Sequence, residues 1–206
     1  MQAFFGTLAE GFDLPILDWI AQNLRCGILD AVMPVITLLG DAGIFWILVA
    51  VALLFFPKYR RIGLAMGMSL LMGLLICNVT MKPLFARIRP YDYQLEHFGK
   101  TVPLLIAAQH DYSFPSGHTL ASFEAATVLM LSNKKMGIPA LILATLIAFS
   151  RLYLYVHYPT DVLFSVAMGL LIGWLGNLLI KKLAPRLKLK VNVIRRKHYG
   201  KSASSL

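Results

Sequence analysis

Charge is scarce in this sequence: 15% of its 206 residues are charged, against 58% that are hydrophobic. A chain so poor in charge cannot cover a soluble surface, and its length fits one domain, so residues 1–206 read as a single membrane-embedded unit. Cysteine is almost missing. Cys26 and Cys77 read as two unpaired buried thiols, which leaves out a disulfide framework and a thiolate metal centre. No Lys or Arg occurs in the first 24 residues, so the basic start of a cleavable signal peptide is lacking and insertion falls to the hydrophobic segments themselves. There is also no carboxylate cluster and no His-x-x-x-His helix to hold a divalent ion, so no metal and no cofactor is expected.

Where charge does occur, it is lopsided. Nine of the twenty Lys and Arg follow residue 180, with no acid among them. A basic tail over 181–206 beside an apolar helix reads as a cytoplasmic end resting on anionic lipid headgroups. Nucleic acid is not an expected partner, because the tail has few aromatics and no recognisable binding module.

The apolar residues fall into helical blocks. Over 14–25, Ile16, Leu17, Ile20 and Leu24 share one side and Asp18, Gln22 and Arg25 the other, the pattern of an amphipathic helix in the membrane interface. Apolar segments follow at 27–40, 43–56, 62–81, 118–132, 137–156 and 160–180. The first is short and contains Pro34, and it needs part of the preceding helix to reach a span of about 20 residues. The expected architecture is an all-α membrane bundle of about six spans. Gly169 and Gly173 have the spacing that lets a neighbouring helix approach closely. Lys58, Arg60 and Arg61, then Lys134 and Lys135, then the tail mark three cytoplasmic positions if both termini are inside. The polar stretch 82–117 and the turn 157–160 then face out. Within that stretch, 102–108 suits either an interfacial helix or local packing.

Three polar clusters lie at that outer face: Lys82-Pro-Leu-Phe-Ala-Arg87-Ile-Arg89-Pro90, Pro115-Ser116-Gly117-His118, and Ser150-Arg151 followed by His157-Tyr-Pro-Thr-Asp161. Negative charge spreading over phosphate oxygens in a transition state calls for fixed cations and N–H donors. Lys82 and Arg89 are seven residues apart and would share a face of a continuous helix, with Pro90 ending it. Taken alone, the pair also fits a solvated basic face. Ser116-Gly117 opening a helix offers free amides and the positive end of the helix dipole, although a plain helix start has the same look. Pro159 separates His157, at the end of one span, from Asp161 in the first turn of the next. A carboxylate there can fix the imidazole tautomer and free the other ring nitrogen to attack phosphorus. A lone interfacial histidine is more often structural; the pairing with Asp161 and Arg151 favours chemistry. His97 and His110 have no such partners and read as surface residues. Glu124, inside a span, is costly unless hydrogen-bonded or protonated, and Asn78 is a candidate partner.

Read in order as K-x6-R-P, P-S-G-H and S-R-x5-H-x3-D, residues 82–161 closely resemble the signature of the type 2 phosphatidic acid phosphatase superfamily, which includes membrane lipid phosphatases and soluble vanadium haloperoxidases. The resemblance implies that His157 becomes transiently phosphorylated, Asp161 orients it, and His118 protonates the leaving oxygen. It further implies that Lys82, Arg89, Ser116, the Gly117 amide and Arg151 hold the phosphate without a metal. Arg87 is not a position the pattern requires. The expectation is a lipid phosphatase at the outer face of a cytoplasmic membrane. Undecaprenyl diphosphate is its first-choice substrate, with phosphatidic acid and phosphatidylglycerol phosphate as alternatives. A haloperoxidase is disfavoured by the spans. A non-enzymatic anionic-lipid carrier is disfavoured because the charges gather at one end of the spans rather than at the midplane.

Overall fold

The computed structural model describes residues 2–184; most of the basic tail, from 185 onward, lies outside the described residues. All regular structure in the described chain is helical. The N-terminal stretch runs as α1 (Gln2–Leu8), a π-helical turn (Ala9–Asp13) and α2 (Leu14–Asn23). Then come α3 (Gly27–Leu38), α4 (Ile44–Phe55) and α5 (Arg60–Gly73), the last continuing through a π-helical segment (Leu74–Met81) into α6 (Lys82–Phe85). The remainder is α7 (Pro90–Phe98), α8 (Gly117–Ser132), α9 (Lys134–Tyr153) and α10 (Pro159–Leu183).

Among the described residues three stretches are long and apolar enough to cross a bilayer: Arg60–Phe98, Lys134–Tyr153 and Pro159–Leu183. Gly27–Leu38 and Asp41–Phe55, bent by 40°, make a fourth if taken together. The six segments read from hydropathy all fall in helices, and three of them are short of a full span alone, α3 and α4 at 12 residues and α8 at 16. At about 1.5 Å per residue, the 12 residues of α3 or of α4 cover far less than a hydrocarbon core of about 30 Å. The chain is a multi-pass helical membrane bundle.

The bundle is built around α8, which packs against α9, α10 and α5. Ten residues of α8, from Thr119 to Leu129, are buried. Small residues permit this crowding. A Cβ placed on Gly169 would come within 2.8 Å of the Phe123 Cβ, and one on Gly173 within 2.7 Å of the Glu124 carbonyl. The Gly169/Gly173 spacing therefore lets α10 lie directly on α8.

Helix ends follow local chemistry. Asn133 caps α9 by accepting the Lys135 N–H at 3.0 Å. Pro159 opens α10, where its missing N–H costs nothing and its fixed φ suits the first turn. Because α5 and α9 end where α8 and α10 begin, Lys82, His118, Arg151 and His157 all reach one end of the bundle. The N-terminal helices cover that same end: Gln2 bonds the Ala86 carbonyl, Glu10 accepts from Tyr93 and Asp18 from Tyr155. The apolar face expected for 14–25 is present, with Leu17 and Ile20 buried against a block of Tyr153, Leu154, Tyr155 and Val156. Residues 102–108 form no helix; Val102, Leu104, Leu105 and Ile106 pack over the same block.

Candidate active site

Lys82 and Arg89 do not share a helical face. The helix stops at Phe85, Ala86 takes a left-handed φ of 46°, and Pro90 starts α7 instead of ending a helix. The cause is the pair of prolines. Pro83 has no N–H to give and crowds the carbonyl four residues back, so the chain passes it only through the π-helical register in which the Lys82 N–H reaches the Cys77 carbonyl. Pro90 holds Arg89 extended, which is the geometry of a residue before proline. The two cations meet through a third residue. Lys82 Nζ and Arg89 Nη2 both donate to the carboxylate of Asp111, a residue that motif reading overlooked. Arg89 Nε also reaches the Asp111 carbonyl at 2.9 Å. Burial alone would push the Asp111 carboxyl up; the bond to Lys82 and the charges of Lys82 and Arg89 outweigh it and hold the group below the usual carboxylate range.

Arg89 leads on to His157. Its Nη1 donates to the Val156 carbonyl at 2.7 Å and lies 3.2 Å from His157 Nε2. The opposite nitrogen, Nδ1, lies 3.5 Å from Asp161 Oδ2. A Nδ1–H aimed at Asp161 leaves the Nε2 lone pair toward the cations. Burial, then the charges of Arg89, Arg151 and Lys82, push the His157 imidazole well below its ordinary pKa and keep it neutral. Asp161 is itself fully buried and bonded on all sides. Its Oδ2 accepts from the Tyr158 N–H at 3.0 Å and from the Ser113 hydroxyl, and its Oδ1 accepts from Arg87 Nη1 at 2.5 Å.

The second pair is Arg151 and His118. Arg151 Nη1 donates to Thr37 Oγ1 at 2.6 Å and lies 3.4 Å from His118 Nε2, while its Nε and Nη2 are buried without partners. A buried guanidinium with unpaired N–H groups is costly unless an anion meets them. Gly40 lets α3 end against this pair, because a Cβ there would come within 2.9 Å of the His118 ring. Asp41 Oδ1 lies 3.8 Å from His118 Nε2.

Ser116 is buried at the start of α8, with its N–H bonded to Ser165 Oγ at 2.8 Å and its hydroxyl 3.0 Å from Thr119 Oγ1. Both groups are thus engaged within the protein. Gly117 follows beside Asn78, whose amide would lie 3.3 Å from a Cβ added there. His97 and His110 are exposed, as their isolation suggested. Cys26 is exposed rather than buried, because it sits in the extended link before α3; Cys77 is buried. Glu124 does not bond Asn78. Its Oε1 and the Asn78 Oδ1 are both without partners, and the carboxyl packs onto Gly73, where a Cβ would fall 1.9 Å from Oε1.

Beside the cations a cavity of about 720 Å³ runs along the bundle. Lys82, Asp111 and His118 line its end at the site, and Ile47, Val51 and Leu54 of α4 with Leu64, Leu71 and Leu74 from the α5 side line its length. Among the described residues no cluster of three His, Cys, Asp or Glu is arranged to hold a metal ion.

The PAP2 superfamily model matches residues 62–184, which hold all three clusters. The chain belongs to this superfamily. It is 33% identical over 167 residues to an undecaprenyl-diphosphatase of Sulfolobus acidocaldarius, covering 81% of this chain and 77% of that one. It is 31% identical to the undecaprenyl-diphosphatase BcrC of Bacillus subtilis, covering 81% and 82%. The fold is similar to the crystal structure of a transmembrane PAP2 type phosphatidylglycerolphosphate phosphatase from Bacillus subtilis. The TM-score is 0.67 and the identity 28%, over 88% of this chain and 94% of that one. The chain is a PAP2 lipid phosphatase.

Proposed function

We propose that this phosphatase removes the terminal phosphate of undecaprenyl diphosphate, releasing undecaprenyl phosphate and inorganic phosphate through a phosphohistidine. The observation that carries the reading is the continuity of a long apolar cavity with an end bearing Lys82 and His118. A lipid chain can lie along the cavity while its headgroup meets the cations. Lys82, Arg89 and Arg151 hold the terminal phosphate, displacing Asp111 from the first two, with the Ser116–Gly117 turn at its edge. His157 Nε2 attacks phosphorus, and the bond to the bridging oxygen breaks as His118 protonates that oxygen. Asp161 keeps the His157 proton on Nδ1. Water then attacks the phosphohistidine, giving its proton to His118, and phosphate leaves. Every step uses charges that the chain itself supplies.

The chemistry belongs on the extracytoplasmic side. Lys58, Arg60 and Arg61 lie at the α4–α5 junction, Lys134 and Lys135 at the start of α9, and Lys181 and Lys182 at the end of α10. By chain direction all lie at the bundle end away from the site, and clustered basic residues favour the cytoplasm. A cysteine at Glu96, in a background without Cys26 and Cys77, should react with an impermeant thiol reagent on intact cells, and one at Asn133 should not. The reverse pattern would turn the site inward.

Phosphate release from a panel of undecaprenyl diphosphate, phosphatidylglycerol phosphate and phosphatidic acid, by purified protein in detergent, tests the substrate. The highest kcat/KM should fall on the prenyl diphosphate. A clear preference for phosphatidylglycerol phosphate would instead align the chain with its structural neighbour.

A further inference from the structure

Arg87, which the family pattern does not require, sits at the centre of the most enclosed ionic network in the described chain. It is 2% exposed. Its Nη1 donates to Asp161 Oδ1 at 2.5 Å and to Thr160 Oγ1 at 2.8 Å, while Nη2 donates to Asp13 Oδ2 at 2.6 Å. The guanidinium lies 3.6 Å from the centre of the Tyr158 ring, and Phe5 of α1 flanks it at 4.7 Å. Asp13, fully buried, closes the circuit by accepting the Thr160 N–H at 2.9 Å and the Thr160 hydroxyl at 2.7 Å. It comes from the π-helical turn Ala9–Asp13, well outside the residues that the superfamily model covers. The Arg87 carbonyl meanwhile accepts the Ser113 N–H at 2.8 Å, and the Ser113 hydroxyl bonds Asp161.

We propose that Asp13 and Arg87 form a positioning pair that aims Asp161 at His157, which makes the N-terminal helix part of the catalytic apparatus. The idea rests on the reading of His157 as the nucleophile. Oδ2 of Asp161 serves the imidazole, Ser113 and the Tyr158 amide, so the contact that Oδ1 makes is what keeps the carboxylate from turning about that atom. That contact is Arg87. A guanidinium is a rigid planar fork, and its other arm is fixed by Asp13, which in turn grips the residue preceding Asp161 in the chain. The guanidinium also lies over the Tyr158 ring, which confines it further. Two carboxylates flank one guanidinium, so neither arm can let go without leaving a buried charge unpaired. The π-helical turn, a feature that recurs at functional sites, turns Asp13 inward at the depth required.

An ordinary clip that merely fastens the N-terminal helix would have the same contacts, and the test must separate the two. Rapid-quench trapping of labelled phosphohistidine in detergent gives a burst rate, set by geometry, and a burst amplitude, set by the number of folded sites. Asp13→Asn should lower the burst rate by roughly 10–100-fold, the size seen when groups that orient metal-bound imidazoles are removed, with KM and amplitude near those of the wild type. Arg87→Lys keeps the charge but loses the fork, and it should fall in the same range. Thr160→Val, a milder change, should slow the burst several-fold. A full burst rate at reduced amplitude in Asp13→Asn would show a fastening role and overturn the proposal, as would an Asp13→Asn protein that cannot be isolated folded beside a Thr160→Val protein of wild-type rate. If wild-type protein hydrolyses lipid phosphate yet traps no phosphohistidine at His157, the nucleophile reading fails and this proposal falls with it.

Discussion

The two histidines stand in contrasting halves of one site. His157 is 1% exposed, and on its Nδ1 side each group is held by another buried group: Asp161 by Arg87 and Ser113, Arg87 by Asp13 and Tyr158. His118, with 14% of its side chain exposed, lies at the site end of the cavity beside an arginine whose Nε and Nη2 are unpaired. There too Lys82 and Arg89 are held by Asp111, a carboxylate whose side chain is 54% exposed. Arg87 and Arg89, two residues apart, fall on opposite sides of this divide. One is closed in by buried partners; the other, itself buried, is paired with a half-exposed carboxylate. The difference suits the roles proposed for the two halves. A nucleophile gains from a fixed tautomer and direction before substrate arrives, whereas a phosphate cradle needs cations whose present partners can be exchanged.

The sharpest way to break this comparison is to remove the fixed half's centre. His157→Ala should abolish phosphohistidine and lipid-phosphate turnover together, since no other side chain is placed to attack. Trapped phosphoenzyme in that variant would reassign the nucleophile. The same setting makes a prediction about protonation. Burial and the nearby cations push the imidazole well below its ordinary value, so a falling pH passes through about 6.5, the unperturbed histidine value, without charging it in the ligand-free protein. Nitrogen NMR of labelled histidine should find His157 neutral at pH 6. An imidazolium signal there would contradict the cationic surroundings.

How far this division was legible in the sequence depends on the kind of residue. Lys82, Arg89, His118, Arg151, His157 and Asp161 stand at motif spacing, and the structure brings them to one end of the bundle through the alternating directions of α5, α8, α9 and α10. The helical class was equally readable, because long apolar runs admit few alternatives in a membrane. The supports were hidden. Asp13, Thr37, Ser113 and Asp111 come from the π-helical turn before the amphipathic helix, a short apolar helix and an irregular loop, and nothing in their spacing signals that they converge. A single cue was available: an acid on the apolar side of the N-terminal helix, next to Leu14 and Leu17, is out of place unless paired. A pattern match passes over Arg87 because it ranks residues by family position, whereas enclosure by Asp13 and Asp161 depends on tertiary packing. Whether each of these helices crosses alone is a separate matter, set by length. Hydropathy recognises apolar residues but does not measure whether a 12-residue helix can reach across.

Removing the proton donor from the open half should cost less than removing the nucleophile. General acid catalysis typically contributes about 10²–10⁴-fold, and His118→Ala should lose rate in that range on a lipid phosphate. The loss should shrink on a nitrophenyl phosphate, whose oxygen departs without a proton. Measuring both rates on one preparation controls for the amount of folded enzyme. Equal impairment on both substrates would mean that His118 holds phosphate and does not donate a proton.

The smallest effect, and the one most specific to the comparison, concerns Asp111. Its carboxylate takes the two cations that a phosphate needs, so substrate must compete with it for Lys82 and Arg89. Asp111→Asn removes the competing charge while keeping a similar shape. KM should fall a few-fold, a modest effect because the Asp111 carboxylate is half exposed to solvent, and kcat should change little because no atom of Asp111 touches His157 or Asp161. The pH dependence follows from the same contacts. Lys82 and Arg89 hold the Asp111 carboxyl below the usual carboxylate range against the effect of burial, so it stays ionised through neutral and mildly acidic solution. Its protonation would relieve the competition only in stronger acid. The ratio of variant to wild-type KM should therefore stay constant between about pH 5 and pH 8, above the unperturbed aspartate value near 3.9. Steady-state kinetics across that range decide the matter. If Asp111→Asn raised KM, the carboxylate would be arranging the two cations for phosphate instead of competing with it, and the open half would be as preorganised as the closed one.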